Sequence, residues 1–271
     1  AGISIQPSEI MKVTLILALA RYFHGLTLDE VSRFRNLLVP LAMVGAPVGL
    51  VVLQPDLGTA ILLMASGGIL FFAAGLRWRY FIIAGAGVLA AIPVIWSRLH
   101  DYQRNRVLTF LEPERDPLGT GYHILQSKIA LGSGGMLGKG FMEGTQSQLN
   151  FLPEKHTDFI FTMLGEELGL VGGVVLLALY FIVLMFSLNV ALQCRNQFGR
   201  LLAMGVSMTF FFYVFINTAM VMGLLPVVGV PLPLVSYGGT SMLSLMFAFG
   251  LLMSVHIHRN LEISRGPSAF W

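Results

Sequence analysis

The sequence predicts an all-α polytopic membrane protein. Three observations carry that reading. Of 271 residues, 55% are hydrophobic and 11% charged, against about 25% charged in ordinary globular chains. Mean hydropathy is +0.76. Long apolar runs recur, and arginines fall in every second connection between them. Only helices or closed barrels satisfy the backbone in lipid, and runs of this length are helical. The single cysteine, Cys194, excludes an internal disulfide framework. A net charge of +3, scattered along the chain, argues against a nucleic-acid partner.

Seven spanning helices are expected, near 8–24, 37–53, 58–75, 79–97, 159–187, 202–223 and 241–257. The chain reads as one integral membrane domain over 1–271. Arg33 and Arg35, Arg77 and Arg79, Arg195 and Arg200, and Arg259 and Arg265 mark the cytoplasmic connections. That leaves the first residues and a large loop, 98–157, on the outer side, with the carboxyl end cytoplasmic. The chain starts with Ala1 and shows no leader pattern. An odd helix count with an outer amino end predicts a piece of a longer chain.

Taken in order, the polar motifs cluster on the outer side. QPSEIMK (6–12) puts a proline and an acid in a first helical turn. Glu9 and Lys12, three apart, share a face. A cap with a surface ion pair explains the pattern as well as a polar cavity does. In QPDLGTA (54–60), Asp56 either caps the next helix or faces the same cavity and pairs with Lys12. ALGSGGMLGKG (130–140) resembles a P-loop but fails its spacing, with Ser133 at a required glycine and Gly140 where Ser or Thr is needed. It reads as a flexible or re-entrant loop, which needs protein or water around it.

LPEKHTDFIF (152–161) directly precedes a long apolar run. Thr157 is the expected N-cap, with Asp158 in the first helical turn. Such a position keeps a carboxylate ionised at some cost in basicity, and partial burial acts the other way. Farther on, Gly165, Gly169 and Gly173 form a ladder for close helix approach. At least one of Glu166 and Glu167 must face protein rather than lipid. His156 has no partner at metal-ligand spacing. GLLPVVGVPLPLVSYGGTS (223–241) carries three prolines that exclude a regular helix and reads as a rigid, mostly apolar outer loop.

QPSEIMK, QPDLGTA, QSQLNFLPEKHTDFIF with GEELG, and NTAMVMGLLPVVGVPLPLVSYGG, in this order, resemble the shape, elongation, division and sporulation (SEDS) family over residues 2 to about 259. The last two blocks are more like its rod-shape branch than its division branch. The resemblance implies ten helices in the full fold, with the first three missing from this chain. It implies a peptidoglycan glycosyltransferase that polymerises lipid II on the outer membrane face. It also implies a class B penicillin-binding protein as partner, with other membrane proteins of the elongation machinery.

Residue by residue, Asp158 matches the family's catalytic aspartate. Glu9, Lys12 and Asp56 match positions lining the central cavity. Arg104, Arg106, Lys139 and Lys155 are outer-side cations suited to a pyrophosphate. A divalent cation, Mg or Mn, would share that work, and no organic cofactor is implied. One base without a second nucleophile predicts inversion at the anomeric carbon. The competing classes are a lipid II flippase, for which a charged cavity would serve equally, and a non-catalytic membrane scaffold.

Overall fold

The computed structural model describes residues 6–98, 101–112, 120–145 and 156–264. Among these residues the fold is all-helical, in ten helices: α1 (Pro7–His24), α2 (Leu28–Val31), α3 (Phe34–Leu53), α4 (Leu57–Ala73), α5 (Trp78–Arg98), α6 (Asp101–Leu111), α7 (Thr120–Ser133), α8 (Ile160–Gln193), α9 (Gln197–Val221) and α10 (Gly239–Ile257). All seven expected segments are helical. Four helices, α3, α8, α9 and α10, are long and apolar enough to cross a membrane, and α4 with most of α5 are shorter apolar helices. The stretch expected as the large loop contains α6 and α7.

Local chemistry accounts for the helix starts. Pro7 and Glu9 occupy the first turn of α1, where a missing N–H costs nothing and an acid meets the positive dipole end. Thr27 and Glu30 form a capping box on α2, the Thr27 amide and hydroxyl donating to Glu30 Oε2 at 2.9 and 3.0 Å. These bonds hold the Glu30 carboxyl below its usual range. Asp56 caps α4 by accepting from the Thr59 amide at 3.0 Å.

The chain divides into two compact units. The first comprises residues 1–82, 182–212 and 239–271. Its core surrounds α1, whose Ile16, Leu19 and Phe23 are fully buried with Leu63, Leu70, Leu201 and Leu252. Phe23 meets Phe71 edge-to-face at 5.3 Å. Helix α1 is thus enclosed by α3, α4 and α10. Ser66 and Thr209 satisfy each other at 2.8 Å within this apolar core. Gly205 is needed because a Cβ there would lie 2.5 Å from Ile16 Cγ2 and 3.3 Å from Leu70.

The second unit comprises residues 83–181 and 213–238. Ser127 on α7 donates to the Val221 carbonyl at 2.8 Å and therefore accepts from the Thr162 hydroxyl at 2.7 Å. One serine thus ties α7 to α8 and to the last carbonyl of α9. In contrast, Leu170, Val171, Val174, Val175 and Leu179 on α8 are exposed, as expected of a helix facing lipid.

The close fit at Gly205 predicts a coupled pair. Gly205→Ala lowers the thermal midpoint in detergent by an amount corresponding to about 1–3 kcal/mol of overpacking. Adding Ile16→Ala recovers part of that loss, so the double variant is more stable than the sum of the single effects.

Candidate active site

Asp158 sits half-buried in a turn of residues 156–159, and α8 begins two residues later at Ile160. The expected placement in a first helical turn under a Thr157 cap is therefore corrected. The physical reason lies in the main chain. Three successive carbonyls are taken by donors from the end of α9 and the proline-rich loop. His156 O accepts from the Tyr237 amide at 2.8 Å. Thr157 O accepts from the Ser236 hydroxyl at 2.6 Å, and Asp158 O from the Asn217 side-chain amide at 2.8 Å.

The loop from 222 to 238 is held by further bonds. Asn217 also donates to Val230 O at 2.7 Å. Tyr180 donates to Pro233 O at 2.6 Å, and the Leu232 amide to Ser236 Oγ at 2.7 Å. Prolines remove amide donors from the loop, and the Asn217 and Tyr180 side chains supply donors to two of its carbonyls. Gly229 adopts φ +70°, and a Cβ there would stand 3.5 Å from Asp158 Oδ2. The carboxylate thus faces a bare stretch of loop backbone. Ring contact between Phe159 and His123, 6.2 Å between centroids, packs α7 against the same turn.

The glycine-rich stretch turns out to be fastened by its backbone. Gly169 takes φ 67° and ψ −163°, interrupting α8. The peptide groups freed by that break pair with residues 135–140. Lys139 and Gly140 amides donate to the Glu166 and Glu167 carbonyls at 3.0 and 3.1 Å. Leu170 and Val171 amides donate to Gly135 and Met136 carbonyls at 2.9 and 3.1 Å. Side chains at Gly134 or Gly138 would collide with the carbonyls of Gly165 and Glu167. The expected ladder is therefore not a helix-packing stripe, since Gly169 is the break itself.

Glu166, fully buried, confirms that one glutamate of the pair faces protein. Lys139 Nζ donates to its Oε1 at 2.7 Å and to Thr145 Oγ1 at 2.9 Å, while Thr145 donates to Glu166 at 3.1 Å. The Lys139 ammonium is thus engaged by a buried carboxylate. Arg104 donates to Trp96 O and Ser97 O at 3.0 and 2.9 Å, capping the end of α5. Lys155 lies outside the described residues, as does the side chain of Arg106.

In the first unit, Lys12 pairs with Glu9 at 2.7 Å, both almost wholly buried. This corrects the expected Lys12–Asp56 pair: the helical i, i+3 spacing puts Glu9 nearer. Asp56 spends an oxygen on its cap and attracts Lys12 from farther away. Ser244 donates to Glu9 Oε2 at 3.1 Å. Beside them lies a largely apolar cavity of about 290 Å³, lined by Glu9, Val13, Thr14, Leu243, Ser244 and Phe247. No group of three or more His, Cys, Asp or Glu side chains placed to hold a metal ion occurs among the described residues.

Sequence reasoning passed over Asn217, Ser236 and Tyr180. Asn217 carried the one available signal, an amide inside an apolar helix, which in lipid marks a polar contact. It is fully buried, and its Oδ1 has no hydrogen-bond partner among the described residues. Such an orphan acceptor costs about 1–3 kcal/mol.

The FtsW/RodA/SpoVE family profile, described as cell cycle protein, matches residues 1–261. The peptidoglycan glycosyltransferase MrdB of Escherichia coli K12 is 52% identical over 96% of this chain and 70% of its own length. A probable peptidoglycan glycosyltransferase FtsW of Trichlorobacter lovleyi is 40% identical over 99% of this chain and 70% of its own. Among solved structures, a peptidoglycan synthase complex described as coordinating polymerization and crosslinking matches with TM-score 0.82 and 33% identity, covering 96% of this chain and 72% of that one. The rod shape determining protein RodA of Thermus thermophilus matches with TM-score 0.66 and 28% identity, covering 96% and 69%.

The pair of part-exposed Lys139 with buried Glu166 predicts a thermodynamic cycle. Lys139→Met removes the cation beside the buried Glu166 carboxylate and lowers stability by about 1–3 kcal/mol. Lys139→Met combined with Glu166→Gln recovers most of it, measured as thermal midpoints in detergent.

Proposed function

Because this chain belongs to the FtsW/RodA/SpoVE family of cell cycle proteins, we propose that it is a peptidoglycan glycosyltransferase that polymerises lipid II, with Asp158 as its general base. The observation that carries this reading is the placement of Asp158. Its peptide is pinned by Asn217 while its carboxylate is half-buried against the bare backbone at Gly229. A fixed peptide that holds the carboxylate in one place is what proton transfer to a positioned base requires.

The protein is a multi-pass cytoplasmic-membrane protein. We assign it seven crossings, with the stretch 98–157 and Asp158 outside and the carboxyl end in the cytoplasm, as the arginine pattern indicates. The higher identity to MrdB than to FtsW supports work in cell elongation and rod shape. The structural likeness to a synthase complex supports a class B penicillin-binding partner that crosslinks the product.

In the proposed step, a sugar hydroxyl of the acceptor attacks the anomeric carbon of the donor. The new glycosidic C–O bond forms as the bond to the lipid pyrophosphate breaks, and the hydroxyl proton passes to Asp158. Attack opposite the leaving group inverts the configuration. A base contributes about 10²–10⁴ in rate, and alignment of the two lipid-linked sugars must supply much of the rest. Glu9, Lys12 and Asp56 are assigned to substrate binding through their match to the family. Arg104, Arg106, Lys139 and Lys155 remain the outer-side cations of this reading, with Lys139 the least available because Glu166 holds it. A divalent cation, Mg or Mn, would when bound add charge stabilisation at the departing pyrophosphate.

The test is glycan polymerisation from purified lipid II by the full-length gene product with its penicillin-binding partner, whose own site is blocked. Asp158→Asn, at matched folded yield, should lower the rate by at least about 10²-fold. Equal polymerisation would remove Asp158 from the chemistry. No product from either protein, under conditions validated with a related polymerase, would favour a flippase or a scaffold.

A further inference from the structure

Asn217 holds both sides of the Asp158 site. Its two amide hydrogens span the carbonyl of Asp158 and that of Val230, at 2.8 and 2.7 Å. With both donors committed to oxygen acceptors, the amide orientation is fixed and Oδ1 is left buried without a partner among the described residues. A leucine of similar shape would avoid that orphaned acceptor. An asparagine here therefore makes sense through what its donors hold.

One of the two bonded groups is the peptide of Asp158. A helix continued back through residue 158 would direct the Thr162 amide at the Asp158 carbonyl, but that amide goes to Phe159 O at 3.0 Å instead. The helical ladder thus gives up this carbonyl and Asn217 receives it. The other bonded group is Val230, next to Gly229, whose backbone faces the Asp158 carboxylate. One buried side chain consequently sets the separation between the carboxylate and the wall opposite.

We infer that Asn217 is a positioning residue for glycosyl transfer, acting on Asp158 and on the loop at Gly229 together. The inference rests on Asp158 being the general base. Asn217 touches no reacting atom in this assignment. It contributes by fixing where the base stands when the acceptor hydroxyl arrives, and small displacements of a catalytic group lower rates steeply.

The experiment uses the full-length protein with its penicillin-binding partner and purified lipid II. Asn217→Leu removes both donors, and Asn217→Gln keeps them on a stem one methylene longer. Asp158→Asn runs in parallel, and Ser66→Ala, which removes a buried hydrogen bond in the other unit, reports what loss of stability alone does. Per folded molecule, Asn217→Leu and Asn217→Gln should lower kcat by roughly 10–100-fold. KM for lipid II should stay within about twofold, because substrate binding is not what the amide supplies. Ser66→Ala should lower the thermal midpoint with kcat retained. If Asn217→Leu does not fold, Asn217→Gln decides, since it preserves the hydrogen-bonding groups. Unchanged kcat in folded Asn217 variants, with Asp158→Asn inactive, overturns the positioning role while leaving the base assignment intact. Full activity in Asp158→Asn overturns the base assignment and this inference with it.

Discussion

Three consecutive carbonyls, at residues 156, 157 and 158, are received by Tyr237, Ser236 and Asn217, and the geometry around Asp158 depends on that clamp. A turn leading into an apolar helix carries peptide groups that need partners within the protein wherever water is excluded. Here the donors come from the end of α9 and from a loop that prolines prevent from forming its own regular structure. The two irregular segments therefore complete each other. Joining them brings Gly229 opposite the carboxylate.

The same logic operates at Gly169. A break in a long apolar helix releases amides and carbonyls, and residues 135–140 return four main-chain hydrogen bonds to them. Backbone can approach backbone this closely only without side chains, which explains the glycines at 134, 138 and 169 better than conformational freedom alone, while a side chain at Gly165 would collide with Leu131. Glu166 beside the break meets Lys139 from the inserted segment, so the ion pair comes from the two strands of chain that the backbone bonds already join. A buried pair is weak support for stability by itself. In this position it opposes any outcome in which the loop leaves and strands a carboxylate in an apolar helix.

Much of the fold was legible. Apolar runs located every long helix, and helical spacing put Glu9 and Lys12 on one face, where they pair. The need to shield a charge from lipid correctly required one of Glu166 and Glu167 to face protein. Less visible were features depending on where main-chain carbonyls end. Thr157 and Asp158 look like a helix start because local propensity sees only the next turn, whereas the competing donors at 217, 236 and 237 are distant in sequence. Gly169 looked like a packing glycine because periodicity does not register a single residue of positive φ. The preference of Lys12 for Glu9 over Asp56 was open to anyone weighing a fixed three-residue spacing against a contact between helices.

A general base contributes about 10²–10⁴ in rate, and an error of about 1 Å in placing a catalytic group forfeits about 10²-fold. Under the proposed role of Asp158, the groups that hold it therefore bear on catalysis nearly as much as its carboxylate does. A flexible outer loop would be a poor support for such a base. This chain instead fixes the proposed base, Asp158, by its own peptide, through a fully buried amide on a helix. The Asp158 side chain lies partly exposed, with its carboxylate beside a glycine of the loop. Rigidity sits in the main chain and openness at the side chain, and the orphaned oxygen of Asn217 is the local cost of that division.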